Sequence, residues 1–203
     1  MIMKLIVLGI MKFSIITLVA LVFCCSLNAQ AKYEREFRIK KSQFPQASLA
    51  QAEPFLEGVR KLRYYKEIDS SKQTYEIKFK RNKLNYSVEF NDKDVLEDIE
   101  VGISEVDIPK ASYQEMEAYL KENFSKYKIR KIQQQYPRTA FSSTEETFRN
   151  AFQNLMLPEI RYELIVHAKT TGHYMDFEIL FDFEGKFLSQ RKSLPPNYDH
   201  VLY

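Results

Sequence analysis

Tyr75-Glu-Ile-Lys-Phe-Lys80, a turn at Asn82, and Leu84-Asn-Tyr-Ser-Val-Glu-Phe90 decide the fold class. Successive strand side chains alternate, so Tyr75, Ile77, Phe79, Leu84, Tyr86, Val88 and Phe90 share one face of an antiparallel pair. Glu76, Lys78, Lys80, Asn85, Ser87 and Glu89 share the other. One apolar and one charged face predict an antiparallel sheet covered on a single side, with helices as the cover. Tyr162-Glu-Leu-Ile-Val-His-Ala168, a turn around Gly172, and Met175-Asp-Phe-Glu-Ile-Leu-Phe181 repeat the pattern.

Working outward, each hairpin sits in a similar series. Before the first come a helix, opened by Pro45, carrying Leu49, Ala52, Phe55 and Leu56 and broken or kinked by Pro54, and a strand at 61–66. A turn at Asn91 to Asp94 follows it, then a strand through Leu96, Ile99, Val101 and Ile103. Before the second come a helix with Tyr113, Met116, Leu120 and Phe124 on one stripe and a capping box at Ser112 to Glu115, then a strand at 127–136. An insertion at 138–160 adds a helix with a second capping box, Ser143 to Glu146. Phe187 and Leu188 begin a last strand. The stretch 32–41 mixes helical and strand spacing and stays unassigned.

The predicted fold is α+β: two tandem units, each a helix plus a four-stranded antiparallel sheet, at 32–109 and 110–203. The period of roughly 75–90 residues is longer than that of solenoid repeats. The two sheets either join edge to edge or form one concave surface.

The first 31 residues read as a secretory signal peptide: Lys12, an apolar run from Ile15 to Phe23, and the small-residue end Ala29-Gln-Ala31. Met11 is the better start than Met1, cleavage fits after Ala29 or Ala31, and an uncleaved anchor or a lipidated Cys24 is the alternative. Cys24 and Cys25 are the only cysteines, so the exported chain has no disulfide or thiolate chemistry. Removing Lys4 and Lys12 leaves 28 basic residues against 27 acidic. That balance and the export signal exclude a general nucleic-acid binder, and after cleavage no membrane span remains. A periplasmic or secreted location follows.

The halves resemble the secreted PepSY-like proteins of Gram-negative bacteria, a group related in fold to beta-lactamase inhibitor protein. The resemblance rests on Phe44-Pro45, Arg63-Tyr64-Tyr65, the Tyr75 to Phe79 opening and the aromatic-Asn/Asp turns at Phe90-Asn91 and Phe181-Asp182. Phe-Asp-x-x-Gly-x-Phe stands intact at Phe181 to Phe187, whereas Asp94 replaces the glycine in the first half, which predicts a less regular turn there. The resemblance implies a periplasmic or surface-exposed binding module that inhibits or protects a partner, and it carries over no catalytic residues.

No catalytic, cofactor-binding or metal-binding set emerges from the residues. His167 and His173 flank a turn with Asp176 near, but they read as solvated side chains, and His200 stands in the tail at 194–203. Asn91, Asp92 and Asp94 lack the glycine and glutamate of a calcium loop. Ser142, Ser143 and Thr144 have no nucleophile context. Two basic stretches, Lys78 to Lys83 and Lys126 to Lys131, read as the charged side of strands. Tyr65, Tyr174, Tyr198 and Tyr203, in turns, on the off-core face or in the tail, are the candidate partner-binding residues. The expected function is a noncatalytic exported module that binds an envelope protein or peptide. The alternative is a carrier holding a small apolar or envelope ligand between helices and sheet.

Overall fold

The computed structural model describes residues 31–32, 34–69, 72–170 and 172–193. The predicted signal peptide, save Ala31, lies outside them, as do His200, Tyr198 and Tyr203. In chain order the elements are β1 (Ala31–Lys32), β2 (Glu34–Ile39), α1 (Gln46–Ala52), β3 (Arg60–Asp69), β4 (Lys72–Arg81), β5 (Leu84–Asn91), β6 (Leu96–Ile103), α2 (Lys110–Asn123), β7 (Tyr127–Pro137), α3 (Thr144–Phe152), β8 (Arg161–Lys169), β9 (Tyr174–Asp182) and β10 (Phe187–Ser193).

All ten strands belong to one sheet. From β2 to β10 each strand pairs antiparallel with the next in sequence, and β1 joins β10 in parallel. This overturns the expected pair of helix-plus-four-strand units. The ladder runs unbroken through the middle of the chain, where β6 pairs with β7 from Asp98↔Pro137 to Ile103↔Ile132. Alternation reports which face of a strand is buried and says nothing about its neighbours, and pairing β6 with β7 removes two open edges.

The apolar face behaves as its alternation requires. Ile77, Phe79, Val88, Phe90, Ile99, Val101, Leu164, Val166, Ile179 and Phe181 are buried in one cluster with the helices. Leu49 and Ala52 of α1, Met116 and Leu120 of α2, and Phe148 and Ala151 of α3 supply the covering layer. Phe55, from the turn after α1, stacks on Phe148 at 4.4 Å, and Phe152 closes on Phe79 and Tyr86. Each such side chain contributes about 2–3 kcal/mol of transfer free energy. No helix among the described residues is long and apolar enough to cross a membrane.

Local expectations hold or fail for identifiable reasons. Pro54 does end α1, which passes into a 3₁₀ turn at Glu53–Phe55. The box expected at Ser112 does not form, because α2 starts earlier, with Pro109 as its N-cap. The stretch left unassigned at 32–41 contains an edge strand, β2, whose alternation is weak because only one neighbour, β3, constrains it. At α3 the Ser143 hydroxyl accepts from the Glu146 N–H at 3.1 Å, but the Glu146 carboxylate reaches back to the Ser142 N–H instead. The helix ends at Phe152, before Leu155 and Met156.

The sheet is also strongly curled. β1 pairs with Lys192 and Ser193 while β2 pairs with β3 from Asp69 onward, and one residue separates them. Residues 31–32 and 34–39 thus lie against opposite edges of the meander. No described helix packs on the polar face, yet Glu76, Ser87, Gln133 and Glu178 are buried there, so the strands themselves shield it and it is the concave side of the sheet.

Candidate functional site

The concave face is built in rows, because directly paired residues on neighbouring strands project to the same side. One row runs Tyr65–Glu76–Glu89–Asp98, from Tyr65↔Glu76, Glu76↔Glu89 and Glu89↔Asp98. The next runs Arg63–Lys78–Ser87–Glu100–Gln135. Beyond them lie Glu163, then Glu178 opposite Arg191, whose guanidinium donates to the Glu178 carboxylate.

Three carboxylates opposite one another repel, so the face carries its own compensation. The Lys78 ammonium lies 2.5 Å from Glu36, 2.7 Å from Glu76 and 4.0 Å from Glu67. Burial disfavours that ammonium, but the charges of Glu76 and Glu36 outweigh it and raise its pKa. Burial also works against the Glu76 carboxylate, which Lys78 together with hydrogen bonds from its neighbours nonetheless holds below the ordinary value. Carboxylate oxygens of Glu36, Glu67 and Glu76 lie within 4.8 Å of one another, a spacing that suits a cation. Lys78 is that cation. The three acids therefore form a tetrad with an internal counter-ion rather than a metal centre.

Asp98 has no cation within 4.0 Å among the described residues. Burial, followed by the charges of Glu100, Glu89, Glu163 and Glu97, pushes its carboxyl well above the ordinary value. The Gln135 amide donates to it at 2.9 Å, and the Gln133 amide donates to Glu100. Lys72, bridged to Glu97 at 2.5 Å, has its pKa raised: burial acts against its charge, and Glu97, Glu89 and Asp98 overcome it.

Beside the tetrad the face turns mostly basic, with Glu76 and Glu105 the carboxylates at its border. A cleft of about 980 Å³ opens there, lined by Lys61, Arg63, Lys80, Lys83, Lys128 and Lys131 among others. Of the basic residues lining it, these six have no carboxylate within 4.0 Å among the described residues, while Lys78 is held in the tetrad and Arg130 lies 3.7 Å from Asp176. The two basic stretches, expected as separate solvated strand faces, are thus brought to one mouth. Lys61 and Lys83 also adopt left-handed backbone angles, φ 57° and 69°, in positions where glycine is favoured.

The candidate residues from sequence fall unevenly. Tyr65 lies on the concave face, with the Lys78 ammonium 4.8 Å from its ring centroid. Tyr174 is half exposed at the far end, stacked on His167 at 5.2 Å. Tyr198 and Tyr203 lie outside the described residues. His167 departs from the solvated reading: its Nδ1 is 2.6 Å from Asp176 Oδ1. Among the described residues no serine, threonine or cysteine hydrogen-bonds to that imidazole. His173 remains exposed in its turn.

Pattern reading missed the cleft's Lys61 and Arg63, and it missed the carboxylate row. One signal was present: the strand read from Tyr127 is longer than the one ending at Ile103, and a strand that outruns its neighbour leaves an open edge.

No family model matches the chain, and no curated protein matches it. Among solved structures it is similar to a DUF2874 family protein from Bacteroides ovatus, at 10% identity and a TM-score of 0.48 over 73% of this chain and 87% of that one. A protein of Bacteroides eggerthii, provisionally described as periplasmic, shares 13% identity at a TM-score of 0.48, covering 73% and 88%. A BLIP-like protein from Bacteroides fragilis shares 10% identity at a TM-score of 0.46, covering 79% and 92%. The likeness to secreted PepSY-like proteins stays a resemblance, and the functional reading rests on this chain's own geometry.

Proposed function

We propose that this chain is a noncatalytic exported module that binds a protein or peptide through the concave face of its sheet. The observation that carries the reading is the cleft: six cations without carboxylate partners, drawn from β3, the β4–β5 hairpin and β7, converge beside a buried acidic floor. Holding like charges together costs free energy, and an opposite-charged partner relieves that cost. Tyr65 and Tyr174 stand at the two ends as amphipathic contact residues. Export is supported by the signal-peptide character of residues 1–31.

A ligand carrier would need space between helices and sheet. Among the described residues that layer is filled by Phe55, Phe148, Phe152 and the strand aromatics, and the recess beside it is rimmed by Arg81, Glu145 and Arg149.

The test uses Gly102, which lines the cleft. The atoms nearest a β-carbon there belong to Asn85, at 3.6 Å or more, so a larger side chain grows into the opening. Immobilised wild-type protein should retain a partner from envelope extract, Gly102→Phe should lose it, and Glu122→Ala on the exposed side of α2 should keep it. Equal retention by Gly102→Phe would sink the reading.

A further inference from the structure

β7 outruns β6. Its pairing with β8 begins at Tyr127↔Ala168, but its pairing with β6 begins only at Ile132↔Ile103, after which the chain leaves the sheet through Ser104 and Glu105. Tyr127 to Lys131 therefore have a ladder partner on one side only, within a sheet that continues on both sides. The far bank is the tip of the β4–β5 hairpin, from Lys80 to Asn85. The cleft occupies this notch, lined by both banks together with Ile103, Ser104 and Tyr113. The notch lies in line with β6, where one more strand would sit.

Resting on the binding-module reading, we propose that the occupant is an extended acidic peptide that adds to the free edge of β7 as a strand. Arg130 is a bulge between Ile129 and Lys131, so the open edge offers four regular positions, ~14 Å at ~3.4 Å each, room for a strand of about four residues. Side-chain chemistry sets the pattern of that strand. Lys128 and Lys131 lie opposite His167 and Ile165 and so project to the polar face, as Lys80 does from the other bank. Tyr127 and Ile129 pack toward the core. The incoming strand therefore alternates carboxylates on one side with apolar residues on the other.

Lysines on an open edge repel basic strands and give neutral ones no gain, which is how such edges are kept from pairing with other chains. A carboxylate-bearing strand reverses the sign of that guard. Specificity comes from charge and affinity from the backbone ladder.

The test is fluorescence anisotropy with the full chain and a labelled, end-blocked hexapeptide alternating Glu and Val. It should bind at least about tenfold more tightly than the Lys/Val counterpart. Lys128→Glu/Lys131→Glu, two exposed positions where folding is not at stake, should weaken it by about tenfold or more. Alternate N–H groups of a strand point to opposite edges, so methylating the backbone nitrogens of only the Glu or only the Val residues should abolish binding in one form and spare it in the other. Equal binding of the acidic and basic peptides overturns the proposal, and so do two methylated forms that behave alike. If the peptide fails while envelope capture still depends on Gly102, strand addition alone falls. If Gly102→Phe also retains its partner, the binding-face reading falls with it.

Discussion

The Asp94 carboxylate accepts from both the Ser48 hydroxyl, at 2.6 Å, and the Ser48 backbone N–H, at 3.2 Å. It pins the β5–β6 turn to α1 while Asp94 itself holds a left-handed backbone, φ 60°. Its turn is as regular as the β9–β10 turn, contrary to expectation: Asn91 N–H to Val95 O and Asp94 N–H to Asn91 O match Asp182 N–H to Lys186 O and Gly185 N–H to Asp182 O. Asp94 and Gly185 meet the same backbone requirement differently, one by anchoring its side chain and the other by having none.

Gly185 has no room for a substituent. Its φ is +88°, and a β-carbon would meet the Ser112 carbonyl oxygen of α2 at 2.1 Å. Gly185→Ala should destabilise the fold by about 3 kcal/mol, combining the left-handed penalty with displacement of the turn from α2. The midpoint and slope of urea unfolding measure it.

At Asp94 the order of variants is diagnostic. Asp94→Ala removes the anchor from Ser48, which is fully buried, and keeps the backbone penalty, so it should cost about 2 kcal/mol. Asp94→Gly relieves the backbone and should cost about 1 kcal/mol. Equal losses in urea titrations would mean that the carboxylate, and not the backbone angle, sets the whole cost.

Lys78→Met should be among the more damaging substitutions on the concave face. It leaves Glu36, Glu67 and Glu76 facing one another without their cation, at a cost of about 3 kcal/mol or more at neutral pH. In the wild type Glu76 has a lowered pKa, so its contribution is present above the unfolded value and lost as pH falls through the folded one. The variant should behave oppositely and regain stability relative to wild type as the acids protonate near pH 4. Thermal melts at pH 7 and pH 4 separate the two.

Asp98→Asn should stabilise the protein. The folded carboxyl binds its proton more tightly than the unfolded one, so wild type loses stability as pH rises from the unfolded value of 3.8 and levels off above the folded pKa. Asparagine keeps an acceptor for Gln135 and ends the repulsion from Glu89 and Glu100, a gain of about 1 kcal/mol at pH 7. Near pH 3 the gain should vanish. A gain that persists there would assign it to packing.

Strand faces were legible because alternation is a local property: every apolar position named on the first hairpin is buried or half-buried in the core. Helix ends were less legible where two signals competed, as when Pro109 pre-empted Ser112. The single sheet was not legible, since pairing β6 with β7 depends on a neighbour that neither strand encodes alone. The site was least legible. Lys80 and Lys128 lie far apart in sequence and meet only because β6 stops at Ile103, and Glu76, Glu89 and Asp98 form a row only through the registers of three strands.

Under the proposed function, this protein meets its partner through the polar sheet face and not through its helices. A photoreactive amino acid at Gly102, in the cleft, compared with one at Glu122 on α2, tests it in envelope extract or in producing cells. A discrete cross-linked adduct is expected from position 102, suppressed by excess alternating Glu/Val peptide, and none from position 122. An adduct from position 122 with none from 102 would contradict it.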